Sequence, residues 1–113
     1  MKRGTVVLAP FPFTDLSGQK VRPGVVVSRT GRPGSDAILA FISTHRGQSL
    51  LPTDLPILDS HADFAATGLK ASSIVKLDKL VTLDVAILLG ELGDLSVALL
   101  KQLDDKLRYA LQL

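Results

Sequence analysis

Apolar residues along the chain fall into short runs broken by proline, glycine and polar clusters, a spacing that favours several short strands. Thr5-Val-Val-Leu-Ala reads as a short buried strand ending at Pro10. The next stretch, to Gln19, carries Pro10, Pro12 and a Ser17-Gly18 turn, which excludes helix. Val21 to Ser28 is a valine-rich second strand that breaks at Thr30-Gly-Arg-Pro-Gly-Ser35. Ala37 to Ser43 is a third, and its unbroken apolar run predicts burial on both faces. Residues 45–53 form a polar loop, Leu55 to Leu58 a short strand, and Ser60 to Gly68 a turn or loop. From Ser73 to Thr82 the pattern alternates, with Ile74, Leu77 and Leu80 set among Lys76, Asp78 and Lys79, as in a strand with a bulge. Ile87 to Gly90 fits either a last strand or a helical turn.

After Asp94 the period changes. Leu99, Leu100, Leu103, Leu107, Ala110 and Leu111 follow helical spacing, with Lys101, Gln102, Asp105, Lys106 and Arg108 opposite. Ser96 is placed to cap the N-terminus and Arg108 to suit the C-terminal end, which predicts a helix over 97–112. The whole predicts one domain, residues 1–113, mainly β, as a small, strongly bent antiparallel barrel with a C-terminal α-helix.

Composition narrows the class. Only Phe11, Phe13, Phe41, Phe64 and Tyr109 are aromatic, so the core is aliphatic. The absence of cysteine rules out disulfides and thiolate metal sites and suits a reducing cytoplasm. No apolar run approaches the roughly 18 residues that span a bilayer, and the amino terminus has no signal-like apolar region. The formal charge of +2 hides an asymmetry: residues 1–50 carry seven lysines and arginines against Asp15 and Asp36, whereas residues 51–113 carry six against nine carboxylates. A basic, arginine-rich front half points to a polyanionic partner.

One arginine stands apart. In Lys20-Val-Arg22-Pro23-Gly-Val-Val-Val-Ser28 it sits at the mouth of a buried strand. Pro23 holds Arg22 in an extended backbone, so the guanidinium projects from a fixed base, and its planar fork matches a phosphate.

Four ordered blocks resemble the MazF/PemK family of toxin endoribonucleases: Arg3-Gly-Thr-Val-Val-Leu; Ser17 to Ser28 with its arginine-proline strand; Leu39-Ala-Phe-Ile-Ser43-Thr44; and Gly68 to Asp84, followed by Gly90-Glu-Leu-Gly and the helix. The resemblance implies an SH3-like barrel, shared with a gyrase-poisoning (CcdB-like) family. It also implies a homodimer that cuts single-stranded RNA, with neither metal nor other cofactor, and an acidic antitoxin as partner. The gyrase-poisoning activity depends on a tryptophan near the C-terminus, and this chain has none.

By the same resemblance Arg22 matches the catalytic arginine. Ser43 matches the catalytic hydroxyl, with Thr44 the alternative if the strand shifts by one; adjacent strand residues face opposite sides, so only one points into the site. Asp78 and Lys76 match an acidic/basic pair of the Kid-like branch, where lysine replaces arginine. Spacing of two on a strand puts both on one face. That branch also uses a histidine where Gln19 stands, and glutamine transfers no proton near neutral pH. Thr5 stands where an acid is usual. Phosphate contacts would fall to Arg3, Lys20, Arg29, Arg46 and Lys70, with Gln19 and His45 beside the site; Phe11 and Phe13 are candidates to stack on unpaired bases, with at least one of the two expected in the core. A competing reading is a non-catalytic barrel that binds RNA or an acidic peptide.

Overall fold

The valine-rich segments pair into one antiparallel sheet in a computed structural model, which describes residues 1–12 and 20–113. The strands are β1 (Thr5–Phe11), β2 (Lys20–Val26), β3 (Asp36–Thr44), β4 (Asp54–Ile57), β5 (Ser73–Asp84) and β6 (Gly90–Asp94). Their order is β4-β5-β3-β2-β1-β6, so β4 and β6 remain as edges and the sheet curls as a half-barrel. Helix α1 is one turn, Phe64–Thr67, and α2 spans Val97–Leu111.

Helix α2 forms where the period-3.6 pattern predicts it. The Ser96 hydroxyl accepts from the Leu99 N–H at 3.2 Å, satisfying one of the donors that a helix start leaves open. Leu99 and Leu103 are fully buried against Val6, Val25, Ala40, Ile42, Leu55, Val75 and Leu77 on one face of the sheet. Arg3 ties this layer down: its side chain pairs with Asp104 of α2 and donates Nε–H to the Val27 carbonyl at 3.0 Å. This arginine is thus committed to the fold and not to phosphate.

The other face, here the far face, carries its own cluster of Val7, Ala9, Phe11, Val26, Ala37, Leu39 and Phe41. Burial on both faces is what the unalternating apolar run of β3 predicts. The Phe11 and Phe41 rings meet edge to face at 5.1 Å between centroids. A Cβ on Gly24 would lie 2.7 Å from the Phe11 ring and 3.1 Å from the Ala40 carbonyl oxygen, so only glycine admits that close approach.

Four details depart from the pattern-based expectation. The stretch read as loop between Ser60 and Gly68 contains α1, closed by Gly68 with φ of 72°. Strand β1 runs through Pro10 to Phe11, because β6 pairs with β1 only as far as Leu8 and proline is tolerated where a strand has an open side. Residues Val85–Ile87 form a 3-10 turn, and the last strand is Gly90-Glu-Leu-Gly-Asp94, whose glycines hide it from propensity. In β5 the register jumps from Phe41↔Lys76 to Ala40↔Leu80, so the chain bulges across Leu77, Asp78 and Lys79.

Candidate active site

Pro23 decides where the sheet opens. It has no N–H to offer β3, and the β2–β3 ladder runs only from Val26↔Leu39 to Gly24↔Phe41. Beyond that point the two strands part around a cleft of about 640 Å³, lined by Val21, Arg22, Pro23, Phe41, Ser43, Thr44, Arg46 and Gln48. The two segments that carry the arginine-proline and serine-threonine motifs thus meet at one opening.

Strand alternation settles which side chains share it. Arg22 pairs with Ala9 of the far-face cluster and lies two residues from Gly24; Ser43 lies two residues from Phe41. Both therefore stand on the far face, and Thr44 stands on the α2 face with Ile42. Thr44 reaches the cleft only from the strand end. It also lines a neighbouring, more apolar cavity of about 280 Å³ with Leu8, Pro23, Leu69, Lys70, Ser73 and Leu92.

Arg22 is half-buried, and its only hydrogen bond among the described residues runs from one guanidinium N–H to the Val21 carbonyl at 3.1 Å. No carboxylate appears among the described residues that line the cleft. The Ser43 hydroxyl is buried with no hydrogen-bond partner among the described residues. Arg46 is held by its backbone, which donates to the Gln48 side-chain carbonyl at 2.6 Å, while its side chain is exposed at the rim. The cleft thus offers two guanidinium groups and one hydroxyl with unspent capacity, a set suited to a phosphodiester.

The remaining predicted residues divide. His45 lies beside the cleft, with Nδ1 accepting the Gly47 N–H at 3.2 Å, so that nitrogen serves the loop. Lys70 lines the second cavity, and Lys20 is exposed at the start of β2. Phe11 is fully buried against Gly24 and Phe41, which corrects the expectation that it stacks on bases; its ring has no open face. Phe13 and Gln19 lie outside the described residues.

Neither member of the expected Lys76–Asp78 pair lines the cleft. Leu77 between them is buried on the α2 face, and Asp78 is exposed at the bulge. Lys76 instead meets Asp54, its register partner on β4, with 3.3 Å between Nζ and Oδ2. Sequence reasoning passed over Asp54. The signal available was a single carboxylate opening the apolar segment Asp54-Leu-Pro-Ile, after the turn residues Pro52-Thr53.

A curled antiparallel sheet, packed by one helix and opened by an arginine-proline strand onto a cationic cleft, defines a small β protein of half-barrel type. Residues 2–111 match the model of the PemK-like, MazF-like toxins of type II toxin–antitoxin systems, and the chain belongs to that family. Among solved structures it is similar to an endoribonuclease in complex with its cognate antitoxin from mycobacterial species, at 22% identity and a TM-score of 0.78, covering 100% of this chain and 96% of that one. It is also similar to the Mycobacterium tuberculosis toxin MazF-mt6, at 22% identity and a TM-score of 0.75, covering 96% and 97%. MazF from Deinococcus radiodurans shares the fold at 18% identity and a TM-score of 0.67, covering 99% and 96%. Comparison by sequence with curated proteins gives no match.

Proposed function

We propose that this toxin is an endoribonuclease that cuts single-stranded RNA at preferred sequences. The substrate's 2′-hydroxyl attacks the adjacent phosphorus without a metal ion, leaving a 2′,3′-cyclic phosphate and a 5′-hydroxyl. Arg22 grips the non-bridging oxygens and offsets the charge that grows on the phosphorane. The Ser43 hydroxyl, with no partner of its own, donates to the reacting phosphate, and Arg46 at the rim holds a neighbouring phosphate of the same strand. The observation that carries this reading is the convergence of Arg22 and Ser43 on one cleft whose described wall has no carboxylate to neutralise it.

The cationic opening also suits an acidic antitoxin segment, which would compete with RNA for the same guanidinium groups. A homodimer follows from the family resemblance.

A second reading rests on one feature: the described cleft wall carries no imidazole or carboxylate to take the 2′-proton, as expected of a domain that binds RNA without cutting it. The two separate in one experiment. Purified protein and its Arg22→Ala variant are incubated with a long unstructured RNA in EDTA, and the fragment ends are typed. Discrete cuts with 5′-hydroxyl ends, lost in the variant, support the ribonuclease. Intact RNA that is nevertheless retained by wild type, and less so by Arg22→Ala, supports the binder.

A further inference from the structure

The carboxylate beside Lys76 has no evident packing role. Asp54 is 1% exposed, and the strand around it, Leu55 and Ile57, is core. Its Oδ2 accepts from the Leu51 N–H at 2.8 Å and from Lys76 Nζ at 3.3 Å, while Oδ1 is buried with no hydrogen-bond partner among the described residues. A charge in such a place is costly to bury, and an apolar residue of similar size commonly holds a sheet position as well or better.

Register shows what lies nearby. Asp54, Lys76, Phe41 and Gly24 form one row across the far face through their successive pairings. Ser43 and Arg22 stand two residues further along β3 and β2, next to that row. Ser43 is the diagonal neighbour of Lys76 across β3 and β5, within reach of a long side chain, and Arg22 lies one strand further on. The Lys76 side chain is 18% exposed, and its one hydrogen bond among the described residues, to Asp54, leaves two of its three N–H donors unspent there. The same Asp54 oxygen holds Leu51, at the far end of the loop that brings Arg46 to the rim.

We infer that Asp54 is a positioning residue that holds the Lys76 ammonium, one strand from the cleft and diagonal to Ser43, as a further cation for the phosphate gripped by Arg22. The inference rests on the ribonuclease reading and deepens it. An untethered lysine spreads over many rotamers; one carboxylate oxygen fixes Nζ and leaves two donors for substrate. The acid–base pair expected within β5 is thereby supplied across strands, by β4 and β5.

The test is a double-mutant cycle on a short single-stranded RNA with one cut site. Asp54→Asn keeps the shape and the acceptor for Leu51 but removes the charge; Lys76→Met keeps the stem. Each single variant is expected to lose kcat by about tenfold or more with KM changed by no more than about twofold, and the double variant is expected to be no worse than Lys76→Met alone. Full kcat in folded Lys76→Met overturns the inference, as do losses that multiply in the double variant.

Where a single change leaves an unpaired charge and the chain does not fold, the double variant removes both charges, and its kcat decides: wild-type kcat overturns the inference. An independent readout is the lysine side-chain NMR signal of Lys76, expected to be ordered in wild type and averaged in Asp54→Asn. Failure of the ribonuclease reading looks different. Wild type then leaves the RNA intact, whereas failure of the Asp54 inference leaves wild-type cutting and its loss in Arg22→Ala unchanged.

Discussion

The buried Ser43 hydroxyl makes a prediction in which stability and activity move in opposite directions. Its oxygen is sealed from solvent without a hydrogen-bond partner among the described residues. An unsatisfied group of this kind carries a desolvation penalty of about 1–3 kcal/mol. Ser43→Ala removes that penalty and leaves a gap smaller than a methyl group, which costs at most about 1 kcal/mol. The difference is a gain of about 0–2 kcal/mol, and for a domain of this size each kcal/mol moves Tm by about 4 °C. Urea denaturation at matched ionic strength measures the stability change directly. Cleavage kinetics on the same samples should show a loss of about 10²–10³ in kcat if the hydroxyl donates to the transition state. A Ser43→Ala protein less stable by more than about 1 kcal/mol would refute the reasoning, because the hydroxyl would then be satisfied in the folded protein and not held for substrate.

Gly24→Ala is expected to cost about 1–3 kcal/mol despite alanine's better fit to a strand, since the added methyl meets the Phe11 ring at 2.7 Å; thermal melts check it. Leu103→Ala, at a fully buried position under α2, should cost about 2–5 kcal/mol by urea titration while the cleft residues stay in place. Arg46→Ala should weaken RNA binding with little regard to base sequence and lower the slope of log K against log salt by about 0.7; an unchanged slope would remove Arg46 from phosphate contact.

Much of this fold was legible because it is built from period. Helix α2 lies within a residue of its predicted end, since its apolar stripe and its serine cap both act locally. The unalternating run of β3 announced two covered faces, and the structure supplies one cluster on each. Strand β6 was not legible: Gly90-Glu-Leu-Gly-Asp94 has poor strand propensity, and pairing with β1 makes it a strand. The site split along the same line. Arg22 and Ser43 share a face because uninterrupted strands keep strict alternation. Lys76 makes its ion pair with Asp54 across strands, a contact that the spacing within β5 does not show. Asp54 was missed because its meaning depends on a neighbour from another strand, 22 residues away in sequence. Phe11 and Phe13 illustrate the same limit. Spacing offered two aromatics on a loop, and tertiary packing took Phe11 for the core.

The missing amide hydrogen of Pro23 has a further effect on how the site tolerates change. The width of the opening is set by a backbone atom that does not exist, so it does not depend on any one lining side chain. Residues around the rim are thus free to be exchanged while the gap between the two strands stays open. A residue with an N–H at position 23 would let the ladder extend from Gly24 toward Arg22 and Ser43. The sheet would then zip shut over its own cleft, trading the opening for two more pairs of an ordinary β-hairpin.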